Sequence, residues 1–123
     1  MTYSKKKFYI TTAISYPNGD PHIGHAYEAI ITDVVARYHR IKGESVMFLT
    51  GTDEHGIKML QTAKKNNLSA LDLANRNSPL FMKMLDEINS THDDFVRTTE
   101  DRHVKACNDI WKRMSMNDDI YKD

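Results

Sequence analysis

His22 and His25 stand three positions apart, with Ile23 and Gly24 between them. Just before them come Tyr16, Pro17, Asn18, Gly19, Asp20 and Pro21, a run rich in residues that bend a backbone. Just after them a helical periodicity begins. A turn that opens into a helix leaves the first amide N–H groups without internal partners and with partial positive charge. Such a terminus suits a phosphate or a similar anion. Two imidazoles beside it add donors, and an imidazole with a pKa near ~6.5 can hold or share a proton next to developing negative charge. Nucleotidyl and phosphoryl transfer need that stabilisation more than they need covalent chemistry. Gly19 offers backbone angles that other residues avoid, and Gly24 leaves the main chain open to a ligand.

A second stretch with unusual chemistry runs from Gly51 to Gly56 and holds Asp53, Glu54 and His55. A carboxylate there suits an ammonium group. Asp53 could equally cap the helix that follows, and residue types alone do not decide between the two. His55 reads as a packing or hydrogen-bonding residue. His22, His25, Asp53 and His55 could together bind a metal, but their spacing matches no standard zinc pattern, so no metal is assigned. His39, His92 and His103 read as ordinary polar residues of surface or core. Other phosphate motifs fail. Gly19 to Gly24 has P-loop spacing, yet His25 and Ala26 follow in place of Lys and Ser/Thr. Gly51 to Gly56 is followed by Ile57 and Lys58 and fails likewise, and no GxGxxG occurs.

These residues need elements to hold them. Phe8 to Ile14 is β-branched and aromatic and predicts a strand. Gly24 to Lys42 predicts a helix of about five turns with Tyr27, Ile30, Ile31, Val34, Tyr38 and Ile41 on its core face, closed by Gly43. Ser45 to Thr50 is continuously apolar at its centre, as a strand buried on both faces requires. Strand, helix, strand is a βαβ unit with a right-handed crossover and a parallel sheet. In such sheets ligands bind beyond the carboxyl ends of the strands, where both unusual loops fall.

Further on, Ile57 to Lys65 predicts a helix, and Ser69 with Asp72 resembles a capping box that starts another. Ser78 and Pro79 predict the start of a third, carrying Leu80, Phe81, Met84, Leu85 and Ile88. Asp94 to Arg97 reads as a short extended piece. Thr98 or Thr99 is expected to cap a last helix with Val104, Cys107, Trp111 and Met114 on one apolar stripe, Cys107 as a small core residue. Ile120 and Tyr121 could open another strand.

The 123 residues, 40% hydrophobic, suffice for one domain with a core. Lys plus Arg and Asp plus Glu balance at 17 each, so no general basic surface points to nucleic acid or membrane. Lys5, Lys6 and Lys7 form only a short solvated arm. The single Cys107 cannot form an internal disulfide, which fits a reducing compartment. The longest apolar run, Val46 to Leu49, is far too short to span a membrane, and no secretion signal follows the start. A cytoplasmic setting is expected, with a mitochondrial one left open.

The letters HIGH, His22 to His25, followed by a long helix resemble the signature of class I aminoacyl-tRNA synthetases. The wider stretch YITTAISYPNGDPHIGHAYEAIITDVVARYHRIKGESVMFLTGTDEHG, Tyr9 to Gly56, resembles the methionyl-tRNA synthetases, and so does DDFVRTTEDRH, Asp93 to His103. The likeness covers nearly the whole chain. It implies the N-terminal half of a Rossmann-like α/β nucleotide-binding fold, with a parallel sheet flanked by helices and the chain running to the start of a connective insertion. It implies methionine activation by ATP, supplied with Mg2+, to methionyl-adenylate, then transfer to tRNA(Met). Under that likeness His22 and His25 stabilise the α-phosphate. Asn18 helps place the phosphates, Gly24 lets adenine or ribose lie against the helix start, and Glu28 reaches the adenosine. Ala13, Ile14 and Tyr16 line the methionine pocket, and Asp53 holds the amino group. The family's Lys-Met-Ser-Lys-Ser loop does not occur here; Lys112 to Asn117 only echoes it. The segment is therefore expected to be inactive without the remainder of a longer chain, and to carry no zinc ligands. The alternatives are another HIGH-motif nucleotidylyltransferase, a non-catalytic binding fragment and a metal hydrolase.

Overall fold

The computed structural model describes residues 5–122. Strands β1 (Lys7–Thr11), β2 (Ser45–Thr52) and β3 (Asp94–Arg97) form one parallel sheet in the order β1-β2-β3. Helices α1 (Ile23–Ile41), α2 (Ile57–Lys65), α3 (Ala70–Glu87) and α4 (Asp101–Met116) connect and follow them. This is the expected α/β architecture with βαβ connections. Phe8 pairs with Val46 and Ile10 with Phe48, while Thr50 pairs with Phe95. β1 ends three residues earlier than the periodicity predicts. Beyond it Thr12 still bonds to β2, its amide donating to the Leu49 carbonyl at 3.2 Å; the chain then leaves regular pairing and meets β2 again at Ser15, opposite Thr52. β2 runs two residues further than expected, through Gly51 and Thr52.

Phe48, at the centre of β2, is fully buried, as are Met59 of α2 and Leu73 of α3. Met59, Ala63, Leu73 and Ala74 form the cluster that joins α2 to α3, with Leu68 against it. Burying side chains of this size is the main favourable term in holding the layers together.

The core face of α1 is not the one its apolar residues predict. Ala29, Thr32, Asp33 and Ala36 are buried, whereas Tyr27, Ile30, Ile31, Val34, Tyr38 and Ile41 are exposed. Small side chains let the helix lie close to β1 and β2. Asp33 is tied down, accepting from the Thr91 amide at 2.7 Å and from Arg37 Nε at 2.5 Å. Arg40 Nη2 donates to Asp93 at 2.8 Å, and the same carboxylate oxygen accepts from the Phe48 amide at 2.7 Å. The end of α1 follows expectation. Gly43, at φ +79°, donates to the Arg40 carbonyl, and Glu44 to that of His39, the paired bonds of a Schellman turn.

α3 is one helix, not two. Ser69 caps it as expected, accepting from the Asp72 amide at 3.0 Å. The reciprocal arm differs from a capping box: Asp72 accepts from the Ser69 hydroxyl at 2.6 Å instead of from its amide. Ser78 and Pro79 lie inside the helix, where the proline forgoes the bond to the Asn75 carbonyl. Tertiary bonds hold the helix through this point. The Asn77 side chain donates to the Pro17 carbonyl at 2.8 Å, and the buried Ser78 hydroxyl donates to Glu54.

α4 buries none of its residues. Its stripe of Val104, Cys107, Trp111 and Met114 is exposed, so Cys107 is not a core residue; its sulfur lies 3.3 Å from His103 Nε2. Glu100, not Thr98 or Thr99, is the residue that precedes α4. Ile120 and Tyr121 form no strand. Among the described residues no helix is long and apolar enough to cross a membrane.

Gly51 has a specific reason to be glycine. An added Cβ would stand 2.0 Å from the Val96 carbonyl oxygen of β3. Gly51→Ala is expected to push β2 and β3 apart and lower stability by ~1–3 kcal/mol, the usual cost of overpacking. Urea unfolding measures this, and an unchanged midpoint would refute the close approach.

Candidate active site

The carboxyl ends of β1 and β2 carry the two loops, and the backbone joins them. The Asp53 amide donates to the Ser15 carbonyl at 2.9 Å, beside the Ser15–Thr52 bridge. The first loop is also fastened from α3, through Asn77 on the Pro17 carbonyl, and from α1, where Glu28 accepts from the Ala13 amide at 2.8 Å. The loop that delivers the imidazoles is thus held at several points along its length.

His22 is the N-cap of α1. Its Nδ1 accepts from the Gly24 amide at 3.1 Å, and His25 Nδ1 accepts from the His22 amide at 3.1 Å. This is a capping box built from two histidines, where Ser/Thr and Glu/Gln are usual. The rings stack with centroids 3.8 Å apart, and His25 also meets Phe81 edge-on at 5.0 Å. Burial, the neighbouring His22 and the opposing pull of Glu28 leave the His25 pKa below its ordinary value. The amides of His22 and Gly24 are therefore not bare, as the sequence suggests, but covered by imidazole nitrogen.

Two cavities meet at His25. An open cleft of about 330 Å³ is lined by Tyr16, Asn18, Gly19, Asp20, His22, His25 and Lys58. A much smaller recess of about 20 Å³ lies between the strand ends and α3, with Thr12, Ala13, Ser15, Glu28, Thr50, Phe81 and Phe95 among its walls. Four of the expected residues, Tyr16, Asn18, His22 and His25, converge on the open cleft. Ala13 and Glu28 face the recess. Ile14, Gly24 and Asp53 line neither. Gly19 stands in open space without positive φ, so no backbone strain requires it.

Nothing in the sequence marks Lys58 as a site residue. It sits on the first turn of α2 with its ammonium 5.9 Å from the Tyr16 ring centre. A lysine early in an ordinary amphipathic helix carries no signal until the fold turns it toward a cleft.

The second loop divides its labour. Asp53 does not cap α2; Gly56, at φ +100°, occupies that position, and Asp53 Oδ1 accepts from the His55 amide at 3.2 Å. His55 Nε2 lies 3.3 Å from the Thr98 carbonyl and so donates toward β3, away from the cleft. Glu54 is the unexpected member. Its side chain is fully buried, and it accepts from Arg97 Nε at 2.6 Å, from Arg97 Nη2 at 3.1 Å, from Thr52 at 3.0 Å, and from Ser78 and Thr99. Its own amide donates to Thr98 at 2.8 Å. The two threonines expected to cap α4 are thus engaged by Glu54. Burial alone would raise the Glu54 pKa, but the bonds from Arg97, Ser78, Thr99 and Thr52 outweigh it and hold the carboxyl below its ordinary 4.5. Among the described residues no three His, Cys, Asp or Glu side chains are gathered to hold a metal.

The sequence model of the family described as "tRNA synthetases class I (M)" matches residues 8–123. The chain is 58% identical to the methionine–tRNA ligase of Brucella suis biovar 1 over 119 residues, 97% of this chain and 23% of that protein. It is 61% identical to the methionine–tRNA ligase of Rhizobium meliloti over 116 residues, 94% of this chain and 22% of that one. A solved structure of Mycobacterium tuberculosis methionyl-tRNA synthetase in complex with methionyl-adenylate superposes with a TM-score of 0.86 at 49% identity, covering 90% of this chain and 22% of that one. The chain thus spans under a quarter of the length of the curated relatives it matches.

Glu54→Ala is expected to cost ~3–5 kcal/mol, because the Ser78 and Thr52 hydroxyls and the half-buried Arg97 guanidinium lose a shared acceptor and a fully buried side chain is removed. The lowered pKa fixes the acid behaviour. The stabilisation is whole above the unfolded carboxyl pKa and is lost as pH falls through the lower folded one. Urea unfolding followed below the ordinary value of 4.5 should show wild type weakening while Glu54→Gln, which cannot titrate, loses this part of the slope. Equal acid slopes would contradict the role given to Glu54.

Proposed function

The chain belongs to the class I tRNA synthetases (M), and we propose that it is the nucleotide-binding segment of a methionine–tRNA ligase. The reaction joins methionine to the α-phosphate of ATP, releasing pyrophosphate, and then passes methionine to tRNA(Met), releasing AMP. The observation that carries this reading is the open cleft in which His22, His25, Asn18 and Lys58 converge at the strand ends. As the methionine carboxylate attacks, negative charge builds on the α-phosphate oxygens. Imidazole N–H groups aimed at those oxygens stabilise that charge more than they stabilise the bound substrate, which is what lowers a barrier. Asn18 and the Lys58 ammonium take the outer phosphates. ATP arrives as its magnesium complex, which is part of the substrate.

Methionine lies toward Ala13, Ile14 and Tyr16, with Asp53 opposite its ammonium group. Asp53 is half-buried on the loop bonded to Ser15, which keeps it near the first loop. Gly24 serves the adenosine indirectly, through the room it leaves for the His22 ring. Glu28 acts on the same ligand from a distance, by fixing the Ala13 amide.

The rest of the enzyme docks on the surfaces that this segment leaves uncovered. Two features support that reading: the exposed apolar face of α1, from Tyr27 to Ile41, and the edge of β1 that no described strand pairs with. That remainder brings the Lys-Met-Ser-Lys-Ser loop that closes on the triphosphate, and the contacts to tRNA. The two halves of the nucleotide fold meet along β1.

Methionine-dependent pyrophosphate exchange tests the reading. The 123-residue chain alone should give no useful exchange, and the complete enzyme should give it robustly. In the complete enzyme His22→Ala and His25→Ala should each lower kcat for activation by roughly 10²-fold or more, with methionine affinity little changed. No methionine-dependent exchange by the complete enzyme, or a loss confined to methionine binding in the variants, would falsify the reading; robust exchange by the isolated chain would overturn its dependence on the remainder.

A further inference from the structure

We infer that the reciprocal cap locks both imidazoles as neutral Nε2–H tautomers, and that Gly24 is glycine to leave room for the lock. A backbone N–H can only donate, so each Nδ1 in the box must offer a lone pair. A neutral imidazole with a bare Nδ1 carries its proton on Nε2. An imidazolium has no lone pair and could not cap. Two imidazoliums stacked at 3.8 Å would also repel each other. Among the described residues neither Nε2 is bonded to another protein group, and both rings border the open cleft. The cap therefore delivers a pair of uncharged donors with one orientation, set before any ligand arrives. The depressed His25 pKa agrees with that neutral state.

Gly24 belongs to the same device. A Cβ there would stand 3.0 Å from His22 Cε1 and 3.1 Å from its Nδ1. The ring fills the space that a side chain at 24 would need, and an alanine would displace it by a few tenths of an ångström. Gly24 is thus a positioning residue for His22. The value of the lock for catalysis rests on the ligase reading, but the tautomers can be measured without any substrate, so the two fail separately.

The test is nitrogen NMR of this chain with 15N-labelled histidine rings, which distinguishes Nε2–H, Nδ1–H and imidazolium forms. Signals are assigned by their loss in His22→Gln and His25→Gln. At neutral pH both His22 and His25 should show the Nε2–H pattern, and Gly24→Ala should move His22 toward averaged tautomers. An Nδ1–H, imidazolium or averaged pattern for either ring in wild type would overturn the inference, as would an unchanged His22 pattern in Gly24→Ala. Asn places an acceptor near the position of Nδ1, whereas Gln reaches the position of Nε2 and loses the cap. His22→Asn should therefore keep a thermal midpoint nearer wild type than His22→Gln, and the reverse order would also overturn it.

Discussion

One buried carboxylate fixes the geometry on which the cleft depends. Glu54 lies at the exit of β2, where a parallel sheet leaves its last residues to be organised by side chains. It draws in the guanidinium of β3, a serine from the middle of α3 and threonines from the turn before α4. An unpaired carboxylate at that depth would cost several kcal/mol, so the partners must be present together or not at all. With Glu54 fixed, its neighbour Asp53 is fixed as well, and the Asp53 amide holds Ser15 of the first loop. The chain of constraint runs from a buried carboxylate to the turn that presents the histidines.

The histidine turn then separates structure from chemistry within each ring. One imidazole nitrogen closes the helix terminus, and the other faces outward. A helix start that would otherwise offer bare amides to an anion offers ring N–H groups instead, farther from the backbone and with a defined direction. Preorganisation of this kind is where most of the benefit of an electrostatic site arises, because no reorientation is needed when charge develops. Lys58 adds a full positive charge at the rim, on a flexible stem suited to a mobile polyphosphate.

Much of this was legible in the amino-acid order. The turn formers before His22, the glycine after α1, and the apolar run of β2 each reflect a local rule, and each led to the right element. The failures have one source. α1 carries a broad apolar face at helical spacing, yet the sheet takes the face with two alanines, Thr32 and Asp33. Periodicity records that a face is apolar, not which partner covers it. Ser78 with Pro79 has the form of a helix start, and tertiary bonds from Asn77 and Ser78 override it. The threonines before α4 look like caps because the competing claim of Glu54 is distant in sequence. Lys58 could not be found at all without the fold, since only the packing of α2 turns it to the cleft.

The most direct test of the account is a crystal structure of the complete enzyme holding a non-reactive analogue of methionyl-adenylate. The account predicts Nε2 of His22 and of His25 within ~2.7–3.2 Å of phosphate oxygens, with Nδ1 of each still on the amides of Gly24 and His22. Rings turned away from the phosphate, or an analogue seated away from the two strand ends, would contradict it.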